Sequence, residues 1–303
     1  MKKLTIAYIT ARQEPRFEWF LDSLARQRHD ALANVIIIDS HPERPLKNVR
    51  VAPPKPSVWQ GPHRLTAVDF FSASNARNTA ICLCKTEWIA MVDDLSVLMP
   101  GWLHHALEAT EHQNVITCGA FRKVKDLEVE DGLVKKFTHY EDGLDWRLKL
   151  HRKTVSYRCP PEWFFGCSFV APLEALLQVN GYPELLCDGM GYEDTIMGTM
   201  LGKNRVQFRF DPEMVTWESE DDHHNQPSML RIDPGISPDD KSHRARTLAA
   251  LNQGSFYQAF GETQHIRSLR ASILRGEPFP VPTGPTDEWF TGMPLAEFHN
   301  YKP

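Results

Sequence analysis

The stretch Trp88-Ile89-Ala90-Met91-Val92-Asp93-Asp94 decides the fold. A continuous apolar run that stops at two adjacent carboxylates reads as a strand buried on both faces, delivering charge to the edge of a sheet. Two neighbouring carboxylates repel unless solvent or a cation compensates. Mg2+ or Mn2+, hard ions that take oxygen ligands and phosphates, are the usual compensation, with a solvated turn as the plainer alternative. Upstream, residues 4–9 read as a first buried strand. Phe17, Phe20, Leu21 and Leu24 fall at helical spacing within residues 16–27, and Val35-Ile36-Ile37-Ile38 forms a second strand ending at Asp39-Ser40. Strand, helix, strand implies parallel pairing through a crossover.

The pattern continues downstream. Residues 74–84 read as a helix capped by Ser72 or Ser74, residues 102–111 as another, and residues 115–121 as a strand. Asp131-Gly132 marks a hairpin turn in a charged stretch. Residues 163–170 read as a strand and 172–179 as a helix closed by Asn180-Gly181. Glu193 opens a helix after a glycine-rich turn, and residues 206–210 alternate as a strand does. Composition shifts near residue 232, which divides the chain into a domain of residues 1–232 and a helical, Pro-rich extension of residues 233–303.

Ser72-Ala73-Ser74-Asn75-Ala76-Arg77-Asn78-Thr79-Ala80-Ile81, the Asp93-Asp94 strand, Met99-Pro100-Gly101-Trp102 and Gly191-Tyr192-Glu193-Asp194 occur in that order. In this the chain resembles the nucleotide-sugar glycosyltransferases of the GT-A fold, most of all glycosyltransferase family 2, from about Leu4 to His224. The resemblance implies an α/β fold of the GT-A (Rossmann-like) type: a mostly parallel central sheet flanked by helices, with the C-terminal extension as an appendage. It implies an inverting transfer of sugar from a nucleoside-diphosphate donor, UDP favoured, to an acceptor hydroxyl. Asp194 would be the general base and Glu193 would position donor or acceptor. Thr10, Arg12 and Asp39 would hold base and ribose at the strand ends, where open α/β sheets bind ligands. Arg77 and Asn78 would approach the diphosphate or ribose from a helix start. Asp94 would bind Mn2+ or Mg2+, with Asp93 on sugar or ribose. His223 or His224 would be a further metal ligand, with His224 preferred. The family's third acidic residue is missing: Leu95-Ser96 follows the pair.

Two other functions fit parts of the pattern. A nucleotidyltransferase also uses carboxylates and a metal, but would open on a glycine-rich loop, and Thr10-Ala11-Arg12-Gln13-Glu14-Pro15 has no glycine. A non-catalytic nucleotide-sugar-binding module would not need Asp194 as a base. The net charge of −5 over 303 residues advertises no nucleic-acid partner. Lys135, Lys136, Arg147, Lys149, Arg152 and Lys153, with Arg267, Arg270 and Arg275, would suit a polyanionic acceptor such as a nucleic acid with a hydroxylated base. Ordinary surface charge, with a glycan or small-molecule acceptor, is the favoured reading. Six cysteines lack metal-site spacing and read as reduced packing residues. No segment has the length of a membrane span, and the expected location is cytoplasmic.

Overall fold

The computed structural model describes residues 3–28, 31–41, 46, 49–57, 62, 71–150, 154–184, 193–225 and 265–281. In chain order the elements are β1 (Leu4–Thr10), α1 (Phe17–Arg26), β2 (Ala33–Asp39), β3 (Arg50–Ala52), α2 (Ala73–Leu83), β4 (Trp88–Asp93), β5 (Ser96–Leu98), α3 (Trp102–Ala109), β6 (Val115–Glu130) and β7 (Leu133–Thr138). They continue as α4 (Trp146–Leu150), β8 (Tyr157–Arg158), β9 (Ser168–Pro172), α5 (Leu173–Gln178), α6 (Glu193–Lys203), β10 (Gln207–Ser219), α7 (Glu220–Asn225) and α8 (His265–Leu274). The main sheet runs β3-β2-β1-β4-β9-β6-β10-β5. β3, β2, β1 and β4 are mutually parallel, as are β6 and β10, whereas β9 and β5 run against their neighbours.

Both faces of the sheet are covered, which explains the unbroken apolar runs of β1 and β4. Alternate β1 residues enter opposite cores. Leu4, Ile6 and Tyr8 meet Phe17, Phe20 and Leu24 of α1 and Trp102, Leu103 and Ala106 of α3. Ala7 and Ile9 belong to the other core, with Ala76 and Ala80 of α2, Leu176 of α5 and Ile196 and Leu201 of α6. Ser72 caps α2, its hydroxyl accepting the Asn75 N–H at 3.1 Å. α8 lies against this same core: Ile266 and Leu269 are buried in it, and Arg270 Nη2 donates to the Cys84 carbonyl at 2.8 Å. The boundary expected near residue 232 lies outside the described residues. Among the described residues no helix is long and apolar enough to cross a membrane.

Three expectations change. The strand read from Trp163 starts only at Ser168. Pro160 and Pro161 fix φ and supply no N–H, so residues 161–163 form a 3-10 turn, and Trp163 and Phe164 turn into the core. β6 and β10 run far beyond Phe121 and Phe210, and β10 absorbs Pro212 in a register shift between Asp211 and Val215. Beyond the sheet, β6 folds back on β7 through Asp131 and Gly132, whose φ values of 49° and 70° suit a primed turn. This tip lies on α1 so closely that a Cβ at position 132 would fall 2.2 Å from the Ser23 nitrogen.

Arg147, expected on a basic surface, is fully buried. Its guanidinium binds Asp145 at 2.6 Å, donates to the Trp163 and Gly119 carbonyls at 2.6 and 2.7 Å, and lies over the rings of Phe165 and Phe210 at 4.5 and 4.6 Å. A buried ion pair of this kind is costly to break, because the survivor is left charged and unpaired. Arg147→Ala is therefore expected to cost about 3–5 kcal/mol in denaturant unfolding, and the double replacement Asp145→Leu/Arg147→Met to recover part of it. Equal losses from single and double variants would refute that coupling.

Candidate functional site

The parallel strands deliver their carboxyl ends to one edge. Thr10 is level with Asp39, and Ile9 with Asp93. β10 reaches the same edge at Glu218, level with Ser96 and Lys123. The start of β9 joins them, since the Asp93 N–H donates to the Cys167 carbonyl at 3.2 Å. The turn after β4 is held from two sides. Leu95, at φ 60°, donates its N–H to the Tyr8 hydroxyl at 2.9 Å and accepts the Ser219 N–H at 3.3 Å. A left-handed leucine is disfavoured and persists only where its surroundings impose it.

Two guanidinium groups organise the carboxylates. Arg77, 3% exposed on α2, reaches Glu193 at 2.6 Å and Asp93 at 3.0 Å and lies over the Tyr182 ring. It passes so near Gly166 that a Cβ there would fall 2.1 Å from Arg77 Nη2. Arg12, 4% exposed after β1, binds Asp94 Oδ1 through Nε at 2.9 Å. The Thr10 hydroxyl donates to the other Asp94 oxygen at 2.8 Å and accepts the Arg12 N–H at 3.1 Å. Arg12 Nη2 lies 2.9 Å from His223 Nδ1.

Asp194 begins α6. Its oxygens accept the Thr195 N–H at 2.7 Å and the Gly166 N–H at 3.3 Å. Burial and the neighbouring Glu193 push its carboxyl up to about 6, against Arg77 and the two N–H donors. Asp39 is fully buried, with Oδ1 accepting the His41 N–H at 2.9 Å. Asn78 stands apart from the carboxylates. Its amide donates to the Tyr182 carbonyl at 2.9 Å and to Glu184 at 2.6 Å and accepts the Tyr182 N–H at 2.7 Å, so it braces the chain after α5. His224 is exposed and pairs with Glu220 at 3.0 Å.

Glu218 escaped the sequence reading. Burial first, then Asp93 and Asp94, push its carboxyl up to about 8 despite Lys123. Its Oε1 has no hydrogen-bond partner among the described residues. The signal for it was the one that revealed Asp93, a carboxylate at a strand end, hidden because the register shift after Asp211 breaks the alternation of β10.

The donor set expected for a divalent cation does not fit one. Both Asp94 oxygens are engaged by Arg12 and Thr10. A permanently charged guanidinium can only donate, so His223 Nδ1 accepts, and the neutral ring carries its proton on Nε2. Burial, then Lys123 and Arg12, pull His223 down to about 4, which keeps it neutral. Among the described residues no three His, Cys, Asp or Glu side chains form a group that could hold a metal ion.

A family model described as Glycosyl transferase family 2 matches residues 6–174, more than half of the chain. The chain belongs to glycosyl transferase family 2. The matched part of this family 2 member includes Arg12, Arg77 and Asp93-Asp94 and ends before Glu193-Asp194. No curated protein matches it. Similar solved structures include GalNAc-T7 with UDP, GalNAc and Mn2+, at 14% identity and TM-score 0.54 over 100% of this chain and 58% of that one. Another is S. aureus TarS 1-349 with UDP-GlcNAc, at 13% identity and TM-score 0.54 over 99% of this chain and 82% of that one. The family 2 member thus spans little more than half of the GalNAc-T7 chain. At these identities the likeness bears on fold, and the fold is GT-A.

A carboxyl that folding raises to about 8 stabilises the fold fully below its unfolded value, and that stability is lost as pH rises toward 8. Glu218→Gln should therefore gain thermal stability over the wild type progressively from pH 5 to about pH 8 and hold that gain to pH 9. A constant offset across that range, in melting curves of both proteins, would mean Glu218 titrates normally.

Proposed function

We propose that this family 2 member is an inverting glycosyltransferase that moves a sugar from a nucleoside diphosphate, UDP favoured, to an acceptor hydroxyl. The observation that carries the reading is Asp194, a carboxylate raised to about 6 beside the Arg77–Asp93–Glu193 group at the carboxyl edge of the sheet. A base poised near neutrality can take a hydroxyl proton and release it afterwards. The acceptor oxygen bonds to the anomeric carbon on the face opposite the diphosphate. The carbon–oxygen bond to the phosphate breaks with its electron pair on the leaving group, and the proton passes to Asp194. Arg77 and Glu193 position the sugar end, and Thr10 and Asp39, level at the ends of β1 and β2, serve the nucleoside. The UDP in the similar GalNAc-T7 and TarS structures supports the choice of nucleotide.

The acceptor side is the aromatic shelf beside Gly166. Trp146 is 43% exposed, with its ring 6.4 Å from that of Phe165, the residue before the glycine that donates to Asp194. Such a surface suits the flat face of a sugar or other small ring. A polyanion groove is less well supported. Arg147 is buried, Lys135 and Lys136 pair with Glu130 and Glu128, and Arg267 and Arg275 pair with Glu174 and Glu277. Arg152 and Lys153 lie outside the described residues.

Asp194→Asn should bind UDP within a few-fold of wild type by calorimetry while transfer falls by about 10²–10⁴-fold. Wild-type kcat should fall about tenfold per pH unit below pH 6, because only the ionised carboxylate accepts a proton. Wild-type turnover in Asp194→Asn would remove Asp194 as the base. Trp146→Ala should raise KM for the acceptor and leave donor binding unchanged; unchanged acceptor KM would take the shelf out of the site.

A further inference from the structure

We propose that the fixed cation at the donor-phosphate end is the Arg12 guanidinium, and that this chain handles its nucleoside diphosphate without a divalent metal. The inference rests on the reading of the protein as a nucleoside-diphosphate-sugar glycosyltransferase. The place between Asp94 and His223, one of the two candidate histidines, is filled: Arg12 lies 2.9 Å from Asp94 Oδ1 and 2.9 Å from His223 Nδ1, while His224, the preferred candidate, is exposed and pairs with Glu220 instead. Its Nη1 also points to the His223 carbonyl at 3.4 Å.

The surroundings make this placement durable. Arg12 is 4% exposed, and its own N–H is held by the Thr10 hydroxyl, which in turn holds the second Asp94 oxygen. At the next position, where the family has a further acid, Leu95 is 1% exposed and its backbone is pinned to Tyr8 and Ser219. An entering divalent ion would have to separate a buried guanidinium from its carboxylate, which leaves charge unpaired, and then lie beside a like charge. Arginine cannot escape that conflict by losing its proton, and it suits phosphate oxygens geometrically. Arg12 thus permanently offsets the Asp94 charge at the β1–β4 end, where the leaving diphosphate gathers negative charge as the anomeric bond breaks.

UDP titrated calorimetrically into the full chain with Mn2+ and with EDTA tests this. The expected result is binding in both buffers, within about threefold, and no heat from Mn2+ alone. Arg12→Ala should lose about tenfold or more of the UDP affinity in EDTA, because Asp94 would then face the diphosphate without its neutralising partner. With Asp94 and His223 released, the variant should also gain a Mn2+ response. The wild-type EDTA titration decides the matter even if Arg12→Ala fails to fold. Binding that appears only with Mn2+ would overturn this inference and leave the glycosyltransferase reading standing. Binding in neither buffer would overturn the donor reading, and this inference with it.

Discussion

Arg77 is the constraint on which the site depends. Its side chain leaves α2, a helix buried from Ser74 to Leu83, and ties Asp93 of β4 to Glu193 of α6. A guanidinium drawn out of water needs compensating charge, and here two carboxylates that stand far apart in sequence supply it. Its path requires that residue 166 have no side chain, because the Gly166 Cα lies against it. The same glycine offers its N–H to Asp194. The position of the proposed base, the start of α6 and the end of β4 are therefore one problem with one solution, and α6 is brought close by glycines as well. Gly198 and Gly202 let it approach Pro161 so closely that Cβ atoms would fall 2.4 and 2.6 Å from that residue.

The sequence made the sheet's centre legible because β1, β2 and β4 are covered on both faces, so nearly all of their residues report the same buried environment. It hid the outer lengths of β6 and β10. From Lys125 to Glu130, β6 leaves the main sheet to pair with β7, with much of it facing solvent, and its residues are mixed accordingly. The aromatic run Trp163-Phe164-Phe165 imitated a strand, although the preceding prolines already prescribed a turn. The acidic stretch after β10 forms α7, and its start is marked in the sequence: the Ser219 hydroxyl accepts the Asp222 N–H at 3.1 Å as a cap does.

The carboxylates of the candidate site were legible by position, because Asp93, Asp94, Glu193 and Asp194 sit at the ends of elements. Their partners were not. Arg12 and His223 lie 211 residues apart, and no local pattern says that one will occupy the other's ring nitrogen. Asn78 shows the same limit: it stands beside Arg77 in sequence, yet the turn of the helix sends it to Tyr182 and Glu184.

The hairpin tip at Asp131-Gly132 braces more than itself. It presses on α1 at Ser23, and α1 begins beside Arg16, which reaches Asp222 of α7 at 3.2 Å. The β6–β7 ribbon is also joined to α7, since the Asp126 N–H donates to Asp221 at 2.6 Å. Hairpin, first helix and α7 are therefore joined in one closed loop of contacts, and it ends beside Arg12, which meets His223 of α7. Elements tied to one another in this way have little conformational freedom left to lose when anything binds beside them.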